Sequence, residues 1–271
     1  MISLDLMELA DCFAPEELVN CIFQQCPQLK APIPVEQIAQ RVGICEIQPL
    51  PGDSENIEGM LCSEPAKDCG VIFFNKSRPI GRQRFTIGHE LGHFLLPTHA
   101  SGERKCTASD FKKNSNTEES EANEFAQKLL LPSHLLTPEI NDQAFNIELI
   151  NKLSVLFQMS FEATAIAAIP LSSEPVAIVF TKNRKVKYAW RNLKHFKYKL
   201  KVFKGSDLPE SYEVPDLKAN AVSEFIEFCE NDWLEGAPKL GPELEIYGQT
   251  LVQEKGYSAI LLKINSLSSF A

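Results

Sequence analysis

Apolar and polar positions along this chain follow two rhythms, and the changeover comes about two thirds of the way through. Residues 15–25 place Leu18 and Ile22 at helical spacing, continued by Cys26. Residues 34–42 predict a second helix, opened by Pro34 and closed by Gly43. Short runs at 44–47, 59–62 and 71–74 are rich in β-branched or aromatic residues and predict strands, with a solvated connection over 50–58. Residues 84–96 predict a long helix with Phe85, Gly88, Leu91 and Leu95 on one stripe and Pro97 at its end. A polar stretch, 98–116, leads to a second long helix over 117–131, stopped by Pro132. Residues 146–157 and 160–168 predict two further helices around a tight turn at Gln158 and Met159.

Beyond Pro170 the period shortens toward two. Residues 176–181 and 185–190 predict strands around a turn at Asn183, with further strands at 198–203, 244–247 and 259–264 and one helix at 221–234. The expected class is α+β. A first domain over 1–135 is followed by a helical segment over 136–171, resembling a helix-turn-helix, and by a C-terminal α/β domain over 172–271.

Composition narrows the picture a little. At 271 residues the chain suits one large domain or two ordinary ones. No apolar run approaches the roughly 20 residues that a membrane helix needs, and the opening residues carry Asp5, Glu8 and Asp11 with no early Lys or Arg. A cytoplasmic protein with no membrane contact is therefore expected. Eight scattered cysteines without a C-x-x-C pair predict reduced thiols, mostly buried. The net charge of −9 argues against a chain coated for nucleic acid.

The candidate chemistry is concentrated in His89-Glu90-Leu91-Gly92-His93. On a helix, residues four apart stand on one face, so two imidazoles at this spacing can grip one zinc ion while the intervening Glu serves as general base. Zinc acidifies water, and a carboxylate beside it takes the proton and returns it to the departing amine. The bland alternative is a surface helix that carries the string by chance. Against it stand the helical context, the apolar face and Gly92, which leaves room for close packing. Catalytic zinc takes three protein ligands. Spacing leaves the third open between His99, six residues past His93 but separated from it by Leu96-Pro97, and a glutamate of the next helix, among Glu118, Glu119 and Glu121. For Glu119 an alternative duty is a capping box with Asn116.

The string Arg84-Phe85-Thr86-Ile87-Gly88-His89-Glu90-Leu91-Gly92-His93, followed by Glu119-Ser120-Glu121-Ala122-Asn123-Glu124-Phe125-Ala126 and Leu129-Leu130-Leu131-Pro132, resembles the ImmA/IrrE family of metallopeptidases. Gly88 stands where that family usually has alanine. The resemblance runs over about residues 34–168. It implies a zincin-like peptidase core, Zn2+ held by His89, His93 and Glu119, Glu90 as the catalytic residue, and a DNA-binding repressor as the protein substrate. The alternative of a different class is a regulatory protein that docks a repressor or nucleic acid on the same scaffold without cutting it; the intact Glu90 speaks against it.

Four further features carry expectations. Residues 71–75 are expected to be an edge strand that pairs with an extended substrate. The helices over 146–168 hold Glu148, Lys152 and Glu162 and have no basic face, so packing is preferred to DNA contact. Residues 182–204 hold Lys182, Arg184, Lys185, Lys187, Arg191, Lys194, Lys197, Lys199, Lys201 and Lys204 with interleaved aromatics and no acid. They are a candidate surface for nucleic acid or an acidic partner, although alternating Lys197, Lys199 and Lys201 also suit a half-buried strand. Cys106 could reach the zinc, but an uninvolved thiol is expected.

Overall fold

Gly43 has φ +113, and a Cβ there would come within 2.8 Å of the Asp68 carbonyl. Only glycine turns the chain so abruptly, and here it takes the chain from α3 (Val35–Arg41) directly into β1 (Ile44–Pro49). The computed structural model describes residues 2–51, 56–99, 102–107, 117–236 and 244–266. The chain divides into two units, Met1–Leu135 with Ser154–Ala163 and Leu136–Leu153 with Thr164–Ala271.

In the first unit β1, β2 (Ile57–Ser63), β3 (Gly70–Phe74) and β4 (Glu103–Thr107) form a four-stranded sheet in the order β1-β3-β2-β4. β1 runs parallel to β3, and the other two pairings are antiparallel. Three helices, α1 (Leu6–Ala10), α2 (Pro15–Gln25) and α3, precede the sheet. The helix α4 (Ile80–Leu95) packs on β2 and β3, and α5 (Thr117–Leu130) packs on α4 and α2. Leu91, Phe125, Ala126 and Leu129 are buried between them.

Three expectations change here. β3 is flanked by β1 and β2, so its backbone is paired on both sides and the edge-strand role expected for residues 71–75 fails; β4 is the edge on that side. That strand lies inside the stretch expected to be a polar connection, because pairing with a distant partner leaves no local signal. Asn116, the N-cap of the expected capping box, lies outside the described residues. Finally, the parallel pairing of β1 and β3 brings Cys45 and Cys69 to a Cα–Cα distance of 6.2 Å, and they form a disulfide. Of the other six cysteines only Cys26 and Cys106 are buried.

Next along the chain come α6 (Ser133–Ile140), α7 (Ile147–Phe157) and α8 (Phe161–Ala168), the last two joined by residues 158–160 with Gln158 at φ 53. The second unit is built on a five-stranded, wholly antiparallel sheet of order β6-β5-β9-β8-β7. Its strands are β5 (Val176–Lys182), β6 (Lys185–Arg191), β7 (Ile226–Phe228), β8 (Leu244–Val252) and β9 (Tyr257–Ser266), so among the described residues the expected α/β domain has no parallel pairing. Asn183 and Arg184, at φ 49 and 63, make the tight turn between β5 and β6. The first turn of α7 is tied to β8: Gln249 accepts from the Ile147 amide at 2.8 Å and donates to both Glu148 oxygens.

The helix expected over 221–234 is replaced by β7 and a four-residue helix, α9 (Glu230–Trp233). Tertiary packing overrides the helical period. The Phe228 ring fills the space where a side chain at Gly248 would stand and stacks on Trp233 at 5.2 Å. The strand expected at 198–203 is an extended segment with one bridge, Leu200 to Leu234. Its alternation survives: Phe196 and Val202 are buried, and Lys197, Lys199 and Lys201 face outward. Lys185 pairs with Asp207 and Lys199 with Glu235, both at 2.9 Å, so part of the basic run is met by acids of its own unit. Among the described residues no single helix is long and apolar enough to cross a membrane.

Candidate metal centre

The helix α4 is buried over most of its length, and each of its faces has a separate task. Gly88 and Gly92, one turn apart, are the faces on which α5 rests. A Cβ at Gly92 would stand 3.2 Å from Ala122 Cα, and one at Gly88 would stand 3.4 Å from Ala126 Cβ. Two pairs of small residues thus bring the helix axes close, and Glu119, one turn before Ala122, is carried up to the His89–His93 face. Arg84 anchors the first half of α4 by donating from Nη2 to the Ile33 carbonyl at 2.6 Å. Burial holds its guanidinium below the usual arginine range, offset in part by Glu36 at 4.0 Å. At the other end, Leu96 is extended before Pro97, as the residue before a proline prefers. Lys67 Nζ donates to the carbonyls of His93 and Leu96, each at 2.8 Å, and so caps the negative end of the helix.

His89 and His93 turn their Nε2 atoms toward each other at 3.0 Å, and both are fully buried. Glu119 faces the same point: Oε2 lies 3.2 Å from His89 Nε2, and Oε1 lies 3.5 Å from His93 Nε2. Cys106 Sγ lies 3.5 Å from His89 Nε2. One ligand atom from each of His89, His93, Cys106 and Glu119 falls within 4.8 Å of all the others. Zinc bonds of about 2.0–2.3 Å arranged tetrahedrally put neighbouring donors about 3.3–3.6 Å apart. The four separations given above are close to the edges of such a tetrahedron, so the donor set fits a zinc ion.

The hydrogen-bond network supports the same fit. His89 Nδ1 faces Asn123 Oδ1 at 3.0 Å, and this amide oxygen can only accept. His99 Nε2 faces Glu121 Oε2 at 2.9 Å, also an acceptor, and His99 Nδ1 faces His93 Nδ1 at 2.8 Å. A neutral His99 that donates from Nε2 accepts at Nδ1, so His93 donates from Nδ1. With His99 neutral, this network lets both histidines carry their proton on Nδ1 and turn their Nε2 lone pairs to one shared point beside a carboxylate. A cation at that point would draw both lone pairs, and imidazoles braced through their second nitrogen are the usual company of a metal.

Glu90 is fully buried between the two histidines in sequence and lies over β2. A Cβ at Gly59 would come 2.3 Å from Thr86 Cγ2 and 2.8 Å from Glu90 Oε1. The absent side chain at Gly59 is what lets Glu90 keep its position. The Gly59→Ala substitution is accordingly expected to push the Glu90 carboxylate aside. Metal content should stay at the wild-type level, and any chemistry that needs this carboxylate in place should slow by about 10²-fold, the usual effect of a 1 Å misplacement; metal analysis beside a structure of the variant checks this.

Of the residues singled out from sequence, His89, His93 and Glu119 converge on one point, and Glu90 is buried over Gly59. His99 does not join them: it stands on the Nδ1 side of His93, away from Nε2. Cys106, expected to be uninvolved, does join, because β4 pairs Cys106 opposite Gly59 and turns the thiol inward. Asn123 and Glu121 were not anticipated in their bracing places. For Asn123 the signal was present, since it lies one turn after Glu119 on the same face.

The family model of the IrrE N-terminal-like domain, Peptidase_M78, matches residues 40–168. No curated protein matches the chain. Seven solved chains match. One of them, described as a Mycobacterium tuberculosis transcriptional regulator, is 14% identical, with 86% of this chain and 70% of that one covered and a TM-score of 0.46.

Proposed function

We propose that the chain, whose residues 40–168 match the model of the IrrE N-terminal-like, Peptidase_M78 family, is a zinc-dependent endopeptidase that cuts a regulatory protein, a DNA-binding repressor. The observation that carries this reading is the meeting of His89 Nε2, His93 Nε2 and the Glu119 carboxylate at one point, with the Glu90 carboxylate over Gly59, the ladder partner of Cys106. His89, His93 and Glu119 hold the metal. Bound there, zinc supplies Lewis acidity and brings the pKa of water down to near 7. Glu90 accepts the proton as water attacks the scissile carbonyl and then delivers it to the departing amine nitrogen. Burial keeps Glu90 close to the reacting atoms and excludes competing solvent.

The substrate would lie along β4, the sheet edge next to the centre, and pair with it through its backbone. The second unit would sense a signal or recruit the substrate, and the exposed lysines within residues 182–204 offer it an acidic partner or nucleic acid. The second reading, a protein that docks a repressor without cutting it, is favoured by one observation: Cys106 at the fourth corner resembles a closed structural site.

Co-expression with a repressor encoded beside this chain separates the two. A repressor trimmed by the wild type and left whole by the Glu90→Gln variant supports the peptidase. Stable co-purification of an intact repressor with both forms overturns it.

A further inference from the structure

The Cys106 thiol has no use in the hydrolysis just described, yet it stands where water would have to be. Its Sγ lies 3.5 Å from His89 Nε2, the separation that a nitrogen and a sulfur on one tetrahedral zinc ion would show, about 3.6 Å. Cys106 is 1% exposed and Glu119 9%, so the thiol is the more enclosed of the two. Its direction is fixed by the ladder, where Cys106 is paired with Gly59, the residue under Glu90. The thiol and the general base therefore address the same small volume.

We propose, resting on the metal-centre reading above, that Cys106 Sγ is a fourth, inhibitory metal ligand and that the peptidase is latent while it is bound. A site with four protein ligands is of the closed, structural kind, whereas hydrolysis needs an open position. With the thiolate in place Glu90 has no water to deprotonate. Release requires only that Cys106 withdraws, and the thiol sits on the strand best able to do so. Among the described residues β4 belongs to one ladder, with β2, so a shift of this strand breaks that ladder. A peptide that adds to the sheet beside β4 acts on the same strand, which couples substrate docking to opening of the centre.

The test uses the full chain loaded with cobalt(II), with acetohydroxamate as the probe of an open coordination position. Wild-type protein should show a thiolate-to-cobalt charge-transfer band. Cys106→Ser and Cys106→Ala should lose it while keeping one equivalent of metal. Both variants should bind acetohydroxamate about tenfold or more tightly than wild type, a step of one decade in the binding constant. A metal-loaded wild type without the band, or variants no better at binding acetohydroxamate, overturns the proposal and leaves the metal centre standing. Failure of wild type and both variants to bind any cobalt overturns the metal-centre reading itself, and this proposal with it.

Discussion

Glu90→Gln is expected to keep its metal and to lower kcat/KM for cleavage of the repressor by about 10²–10⁴-fold, the range that a positioned general acid–base contributes. Glutamine has the shape of glutamate, so the packing against Thr86 and Gly59 is retained. An amide cannot accept a proton at neutral pH, however, and both proton transfers assigned to Glu90 are lost together. KM should change little, because in the proposed reading the substrate pairs with β4 and is not held by this carboxylate. Metal analysis and steady-state kinetics on the same preparation read the two effects separately. Wild-type turnover in the variant would remove Glu90 from the chemistry. Loss of metal together with activity would make it a ligand rather than a base.

The features legible in sequence were those written in local spacing. The turn between His89 and His93, the small positions Gly88 and Gly92, and their partners Ala122 and Ala126 are each four residues apart on one helix, and a helix converts that spacing directly into a face. The helices α2, α3, α4, α5, α7 and α8 and the strands β5 and β6 follow from the same logic. Non-local pairing left no such trace. The position of β3 between β1 and β2, the existence of β4 and the inward turn of Cys106 all depend on which strands meet, and a one-residue change of register would have sent Cys106 to the other face. The stretch around Phe228 was misjudged for a related reason. Its partner, Gly248, is twenty residues away, and the slot above that glycine decided the conformation.

Glu119→Ala and His99→Ala are expected to differ sharply in the metal they retain, and the difference tests the order of the ligands. The Glu119 carboxylate faces both Nε2 atoms, at 3.2 and 3.5 Å. Its removal leaves two imidazoles and the Cys106 sulfur, takes away a negative charge that balances the cation, and should lower zinc affinity by more than about 10²-fold, so that a chelator which leaves the wild type loaded strips this variant. His99 stands behind His93 and receives its Nδ1–H at 2.8 Å, with Glu121 fixing the ring from the far side. Without His99 the Nδ1–H of His93 loses its acceptor in a buried place and the ring loses its orientation. Affinity should then fall by about 10–100-fold, the effect of losing a brace rather than a ligand. The His99→Ala variant would therefore still fill with zinc at saturation, and Asn123→Ala, which removes the matching brace on His89, should behave the same way. Zinc titration against a chromogenic chelator measures all three. Full zinc retention in Glu119→Ala with complete loss in His99→Ala would reverse the assignment and make His99 the third ligand.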